Sequence, residues 1–163
     1  MKRSKLAVIV LILSTNLLAC SKGNANFNKD QIAKASMLQV RIQGDSTAVT
    51  INVIGTPGGS FIASDVNQSG VTSTLPETPL TTDNSLALWE PLMTGAPKDL
   101  PTGDTVKISG RIKGKSVFEI QTSVDGAKNN VAINKVVTAA LAQAKSTYPE
   151  LTAKAADVFK LGL

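Results

Sequence analysis

Histidine is absent from the chain, and cysteine occurs once, at position 20. Without an imidazole there is no Ser-His-Asp or Cys-His relay, no proton shuttle near neutral pH and no ordinary zinc site. A lone cysteine closes no disulfide within the chain. No Ser-x-x-Lys pair occurs, so that signature of a lysine-activated serine is missing too. Catalysis would fall to carboxylates, Lys or Tyr, and Asp65, Glu77, Asp83, Glu90, Asp99 and Asp104 are scattered through turn-rich sequence where solvation accounts for them. Aromatic residues make up 4% of the chain, with one Trp, and aromatic anchors for sugars or peptides usually come in clusters. Long apolar runs are lacking as well. The run from Leu6 to Leu13 falls well short of the roughly 20 residues needed to cross a bilayer.

What is there begins with that run. Lys2, Arg3 and Lys5 precede it, Ser14-Thr15-Asn16 interrupts, and Leu17-Leu18-Ala19-Cys20 follows. A charged flank, an apolar core and a small-residue cleavage site in that order read as a secretory signal, removed from the mature protein. Leu17-Leu18-Ala19-Cys20 resembles the lipobox of bacterial lipoproteins. The resemblance implies that the sulfur of Cys20 is alkylated with diacylglycerol, that the peptide is cut just before it, and that the new amine is acylated, for example with palmitate. An ordinary signal peptide with an incidental cysteine is the other reading. Each buried methylene contributes about 0.8 kcal/mol, so several acyl chains would hold the chain firmly to a membrane. In lipoproteins of Gram-negative bacteria an Asp after the lipidated Cys tends to retain the protein in the inner membrane. Ser21 stands there, which by resemblance implies the outer membrane. Loss of Lys2, Arg3 and Lys5 lowers 17 basic residues to 14 against 12 acidic ones, a net charge of +2. That leaves no electrostatic footprint for nucleic acid.

Residues 20–35 read as the lipidated Cys and a tether, polar and without apolar spacing from Ser21 to Asp30. From Ser36 the apolar period becomes two. Leu38, Val40 and Ile42 alternate with Gln39 and Arg41, Gln43-Gly44-Asp45-Ser46 turns, and Val49, Ile51 and Val53 return. This predicts a hairpin with one buried face, Val40 opposite Val49 and Leu38 opposite Ile51. Alternation resumes at Thr105. Val106, Ile108, Gly110 and Ile112 lead to Lys113-Gly114-Lys115, and Phe118, Ile120, Thr122 and Val124 come back. A three-residue loop sets Ile108 against Ile120 and Gly110 against Phe118, a ring covering a strand glycine. The other face of this ribbon carries Lys107, Ser109 and Arg111 with Val117, Glu119 and Gln121, and Lys113 and Lys115 stand at its tip. Residues 42–97 hold five acids and no base, so this concentration of cations is local. Two readings stand. Lys107, Arg111, Lys113 and Lys115 are a solvated face whose edge lysines discourage aggregation, or they form a patch for anionic lipid headgroups, lipopolysaccharide or acidic glycans.

Between the hairpins, residues 55–104 contain six of the seven prolines. This predicts short strands and no long helix or long central strand: Ser60 to Ala63, Gly70 to Leu75, and an apolar patch at Leu86-Ala87-Leu88-Trp89. Trp89 reads as a core filler under the loops. Asp65-Val66-Asn67-Gln68-Ser69-Gly70 opens like a calcium loop, but the position that needs a bidentate Glu is Pro76 and Glu77 falls one residue late, so a plain turn is expected.

After Gly126 the period is 3.6. Ile133, Val136, Val137, Ala140, Leu141 and Ala144 predict a helix from near Asn130 to near Ser146. Thr147-Tyr148-Pro149-Glu150 then opens a second helix with Leu151, Ala155, Val158 and Phe159 on one side. The layout of lipidated Cys, turn-rich β-domain and helical run resembles bacterial surface lipoproteins with an immunoglobulin-like or carboxypeptidase-regulatory-like domain. That resemblance implies a mainly β fold, and the chain would be a short stand-alone member or a fragment. The expectation is therefore a signal peptide over 1–19, a tether over 20–35, an immunoglobulin-like β-sandwich of roughly seven strands over 36–126, and a C-terminal α-helical hairpin over 127–163. The expected role is a non-catalytic binding or structural module, anchored to the membrane through Cys20, with another envelope protein or an anionic glycan as further partner and no metal or cofactor. The alternatives are a carboxylate-based hydrolase acting on glycans, or an accessory subunit of a larger envelope complex.

Overall fold

The computed structural model describes residues 28–94, 97, 99–145, 149 and 153. Its seven strands are β1 (Ser36–Gln43), β2 (Thr47–Thr56), β3 (Gly59–Gln68), β4 (Val71–Thr74), β5 (Thr78–Leu80), β6 (Val106–Ile112) and β7 (Lys115–Thr122). All pair antiparallel in one sheet of order β4-β3-β2-β1-β6-β7, with β5 also on β3. Four helices with described bounds accompany it: α1 (Lys29–Ala35), α2 (Thr82–Thr94), α3 (Val124–Asn129) and α4 (Val131–Lys145). One face of the sheet is apolar from strand to strand. Leu38 lies beside Val53, Val40 beside Ile51, Ile42 beside Val49 and Ile108 beside Ile120. On that face Ile32 of α1, Leu88, Trp89 and Leu92 of α2, and Ile133, Val136, Val137, Ala140 and Leu141 of α4 close a single buried core. The structure is thus a mixed α/β arrangement with helices on one face of an open antiparallel sheet.

This corrects the immunoglobulin-like sandwich. The strand count is as expected, but among the described residues no second sheet packs on the first. The cause lies in the rows that point away from the helices: beyond one apolar strip at the end of the sheet, Gln39, Arg41, Asn52, Lys107 and Glu119 offer no apolar surface for another layer of strands. Helix stripes cover the other face instead. Residues 29–35, assigned above to the tether, form α1. Asn28 caps it by accepting from the Gln31 N–H at 3.1 Å, and Ser36 closes it with a 2.6 Å bond to the Ile32 carbonyl. Gly55 lies under this helix, where any Cβ would run into the Ile32 carbonyl oxygen. Helix α4 follows the predicted stripe, and Asn130 caps it with a 3.1 Å bond from the Ile133 N–H. Of the second predicted helix only Pro149 and Ala153 are described, both in helical conformation, and the rest lies outside the described residues.

The first hairpin keeps its predicted face but pairs two residues further along, with Val40 opposite Ile51. A shift of two leaves every side chain on its own face. In the second hairpin Ile108 does face Ile120 and Gly110 does face Phe118. Its turn is tighter than expected: Lys113 and Gly114 have φ of 50° and 75°, the geometry of a two-residue hairpin turn. A bulge opposite Gly110 and Arg111 absorbs the spare residue at Val117. A Cβ on Gly110 would lie 2.5 Å from the Phe118 ring and 2.9 Å from Trp89, so the glycine is what lets these rings cross its strand.

The middle region keeps one expected element, the short strand over Gly70 to Leu75, present as β4, and overturns the others. Strand β3 is long and central rather than short, and Leu86-Ala87-Leu88-Trp89 belongs to helix α2. Thr81 caps that helix with its hydroxyl and carbonyl, and Ser85, Leu88, Trp89 and Leu92 form its buried stripe. Pro91 removes one N–H, whose partner would have been the carbonyl of exposed Ala87, so water can take the missing place. Trp89 fills the core as expected, though from a helix rather than under loops, and meets Phe118 edge-on with centroids 5.8 Å apart.

Candidate functional site

The helix-free face of the sheet is where the sequence places its candidate residues, and the register orders it in three rows. At one end Pro79, Phe61, Ile54 and Met37 lie side by side across β5, β3, β2 and β1, and Arg111 of β6 stands next to Met37. Next comes a row of uncharged Ala63, Asn52, Gln39 and Ser109 that ends at the acid Glu119. The Gln39 amide donates to the Asn52 side-chain oxygen at 2.9 Å, tying two strands together on this face. The third row runs Asp65, Thr50, Arg41, Lys107 and Gln121. The face is therefore graded along the strands, from a half-buried apolar strip with a cation at its edge to a charged row.

The four basic residues predicted as a patch do not form one cluster. Lys107 is half-buried in the charged row, about 13 Å along the strand from Arg111 at the usual rise per residue. Its neighbour is Arg41 of β1, a cation that belongs to the other hairpin and that local sequence gave no reason to include. Arg111 and Lys113 lie together instead. With Ala35, Ser36, Met37, Gly55 and Gly114 they line a depression of about 380 Å³ at the end of the sheet where α1 enters β1. The Lys113 N–H donates to the Ala35 carbonyl at 2.7 Å, which pins the turn there. Lys115 pairs with Ile112 and so starts on the helix side of the hairpin, opposite in sense to Arg111. Among the described residues none of Lys107, Arg111, Lys113 and Lys115 forms an ion pair. Cys20 lies outside the described residues.

Asp65 to Gly70 forms no cation loop. Asp65 to Gln68 complete β3, and Ser69 and Gly70, with φ of 51° and 87°, make the turn into β4. The Asn67 side-chain oxygen accepts from the Gly70 N–H at 3.2 Å and its amide donates to the Thr72 hydroxyl at 2.9 Å, so it serves the turn. Compared with known proteins, the chain matches no family model, no curated protein and no solved structure.

Proposed function

We propose that this chain is a lipid-anchored protein of the bacterial cell envelope, held to the outer membrane through Cys20, and that its folded part is a non-catalytic binding or structural module. The observation that carries the reading is the order of Lys2, Arg3 and Lys5, the apolar run to Leu13, and Leu17-Leu18-Ala19-Cys20. The open face adds support. Asp65 and Glu119, the two acids in its rows, stand four strands apart, about 19 Å at the usual strand spacing. Paired carboxylates of glycosidases sit at about 5–9.5 Å. A face with one apolar strip, an amide row and unpaired cations suits recognition of a surface better than bond cleavage.

The test is Cys20→Ser in a bacterial host fed labelled palmitate. The unaltered chain should take up label, run at its processed size and enter the detergent phase on phase separation. The variant should remain unlabelled and keep residues 1–19. Equal labelling and equal size for both would overturn the reading.

A further inference from the structure

We infer that the end of the sheet at which α1 enters β1 docks on the anionic lipid headgroups of the same membrane that holds Cys20. Arg111 and Lys113 beside the depression, and Lys115 on the helix side of the same turn, receive the lipid phosphates. This rests on the lipid anchor proposed above and names what the anchored domain touches.

Charge is sorted along the strand axis. The entry end gathers Ser36 of β1, Thr56 of β2, Gly59 of β3 and the turn between β6 and β7. Exposed Lys29, Lys34, Arg111, Lys113 and Lys115 stand there. The acids at that end are Asp30, engaged by Lys34 at 3.9 Å, and Asp83 in the first turn of α2. At the opposite end the connections into and out of the strands carry Asp45, Asp104 and Asp125. Arg41 and Lys107 lie next to that far end and Lys128 in α3, so its charges nearly balance while the entry end keeps a positive excess, and an anionic surface favours the entry end.

Chain length makes that preference count. From Cys20 to Asn28 a fully extended chain spans at most about 28 Å. Helix α1 then leads straight into β1 at Ser36, so the basic end is the end the anchor holds close. The field of an anionic bilayer fades within a Debye length, about 8–10 Å, and a short leash keeps these cations within a few such lengths. The depression beside Met37 offers an apolar floor next to the Arg111 guanidinium, whose fork suits phosphate oxygens, and next to the Lys113 ammonium. The backbone bond from Lys113 to Ala35 holds the turn in place without a side-chain partner that lipid would have to displace.

Three surface cations together should favour the docked orientation on the order of a hundredfold. The test uses the full lipidated protein in vesicles of phosphatidylcholine alone and of phosphatidylcholine with phosphatidylglycerol, with exposed lysines acylated by a water-soluble reagent and read by mass spectrometry. Labelling of Lys113 and Lys115 should fall several-fold in the anionic vesicles and recover in high salt, while Lys135 on α4 labels equally in both. Arg111→Gln combined with Lys115→Gln should restore labelling of Lys113. Equal labelling in the two vesicle types, with lipid present on the Cys20 peptide, overturns the docking and leaves the anchor standing. Protection by an added acidic glycan in neutral vesicles, with none from phosphatidylglycerol, assigns the cations to glycan and also overturns it. A Cys20 peptide without lipid removes the anchor and the docking together.

Discussion

The two faces of the sheet are made by the same strands, yet they obey different rules. On the helix side Val40, Ile51 and Ile108 are fully buried and share a core with Trp89. On the other side, one residue along, Gln39, Asn52 and Ser109 occupy the equivalent row, half-buried and partly hydrogen-bonded to one another. The helix side sets stability, because every atom lost there leaves a cavity or an uncovered neighbour. The open side is free to carry what stability would not choose, such as Arg41 directly opposite Lys107. Like charges in that position cost a little stability.

The largest effect that would sharpen this contrast is expected at Trp89. Its ring has no exposed surface and spans α2 and the ring of Phe118. Trp89→Ala should destabilise by about 3–5 kcal/mol, read as a lower urea midpoint at unchanged slope. A matched pair comes next. Ile51→Ala on the helix side should cost about 2–5 kcal/mol, and Ile54→Ala on the open side less than about 1 kcal/mol. Equal losses would break the comparison and mean that Ile54, too, is covered. The smallest effect has the opposite sign. Lys107→Glu replaces a repulsion with an attraction towards Arg41 and should stabilise by about 0.5 kcal/mol, an increment that fades in salt.

The same contrast explains what could be seen in the chain before its structure. Both hairpins and α4 were legible because their apolar residues recur at one period with little interruption. Strand β3 was legible only over Ser60 to Ala63, since its buried row reads Ser60, Ile62, Ser64 while Phe61 and Ala63 fall on the open side, so hydropathy there runs against burial. The hydroxyls of Ser60, Ser64 and Ser85 are buried with no hydrogen-bond partner among the described residues, a composition that no apolar pattern would flag. Helix α2 hid its stripe of Ser85, Leu88, Trp89 and Leu92 behind Leu86, Ala87 and Pro91, although the Thr81 cap was a usable signal. Ser123 likewise ends β7 and caps α3 by accepting from the Gly126 N–H, where alternation alone carried the strand on to Val124. The candidate site was legible residue by residue but not in its grouping. Arg41 and Lys107 meet through the pairing of β1 with β6, strands from two hairpins, and the bulge and tight turn separate Lys115 from Arg111.

The proposed setting of the open face depends on acylation of Cys20, so the mass of the mature amino terminus is the most direct test. A first residue at Cys20, carrying diacylglycerol on sulfur and an acyl group on nitrogen, is the predicted result. A mature chain that retains residues 1–19, or that bears a free thiol at Cys20, would contradict it.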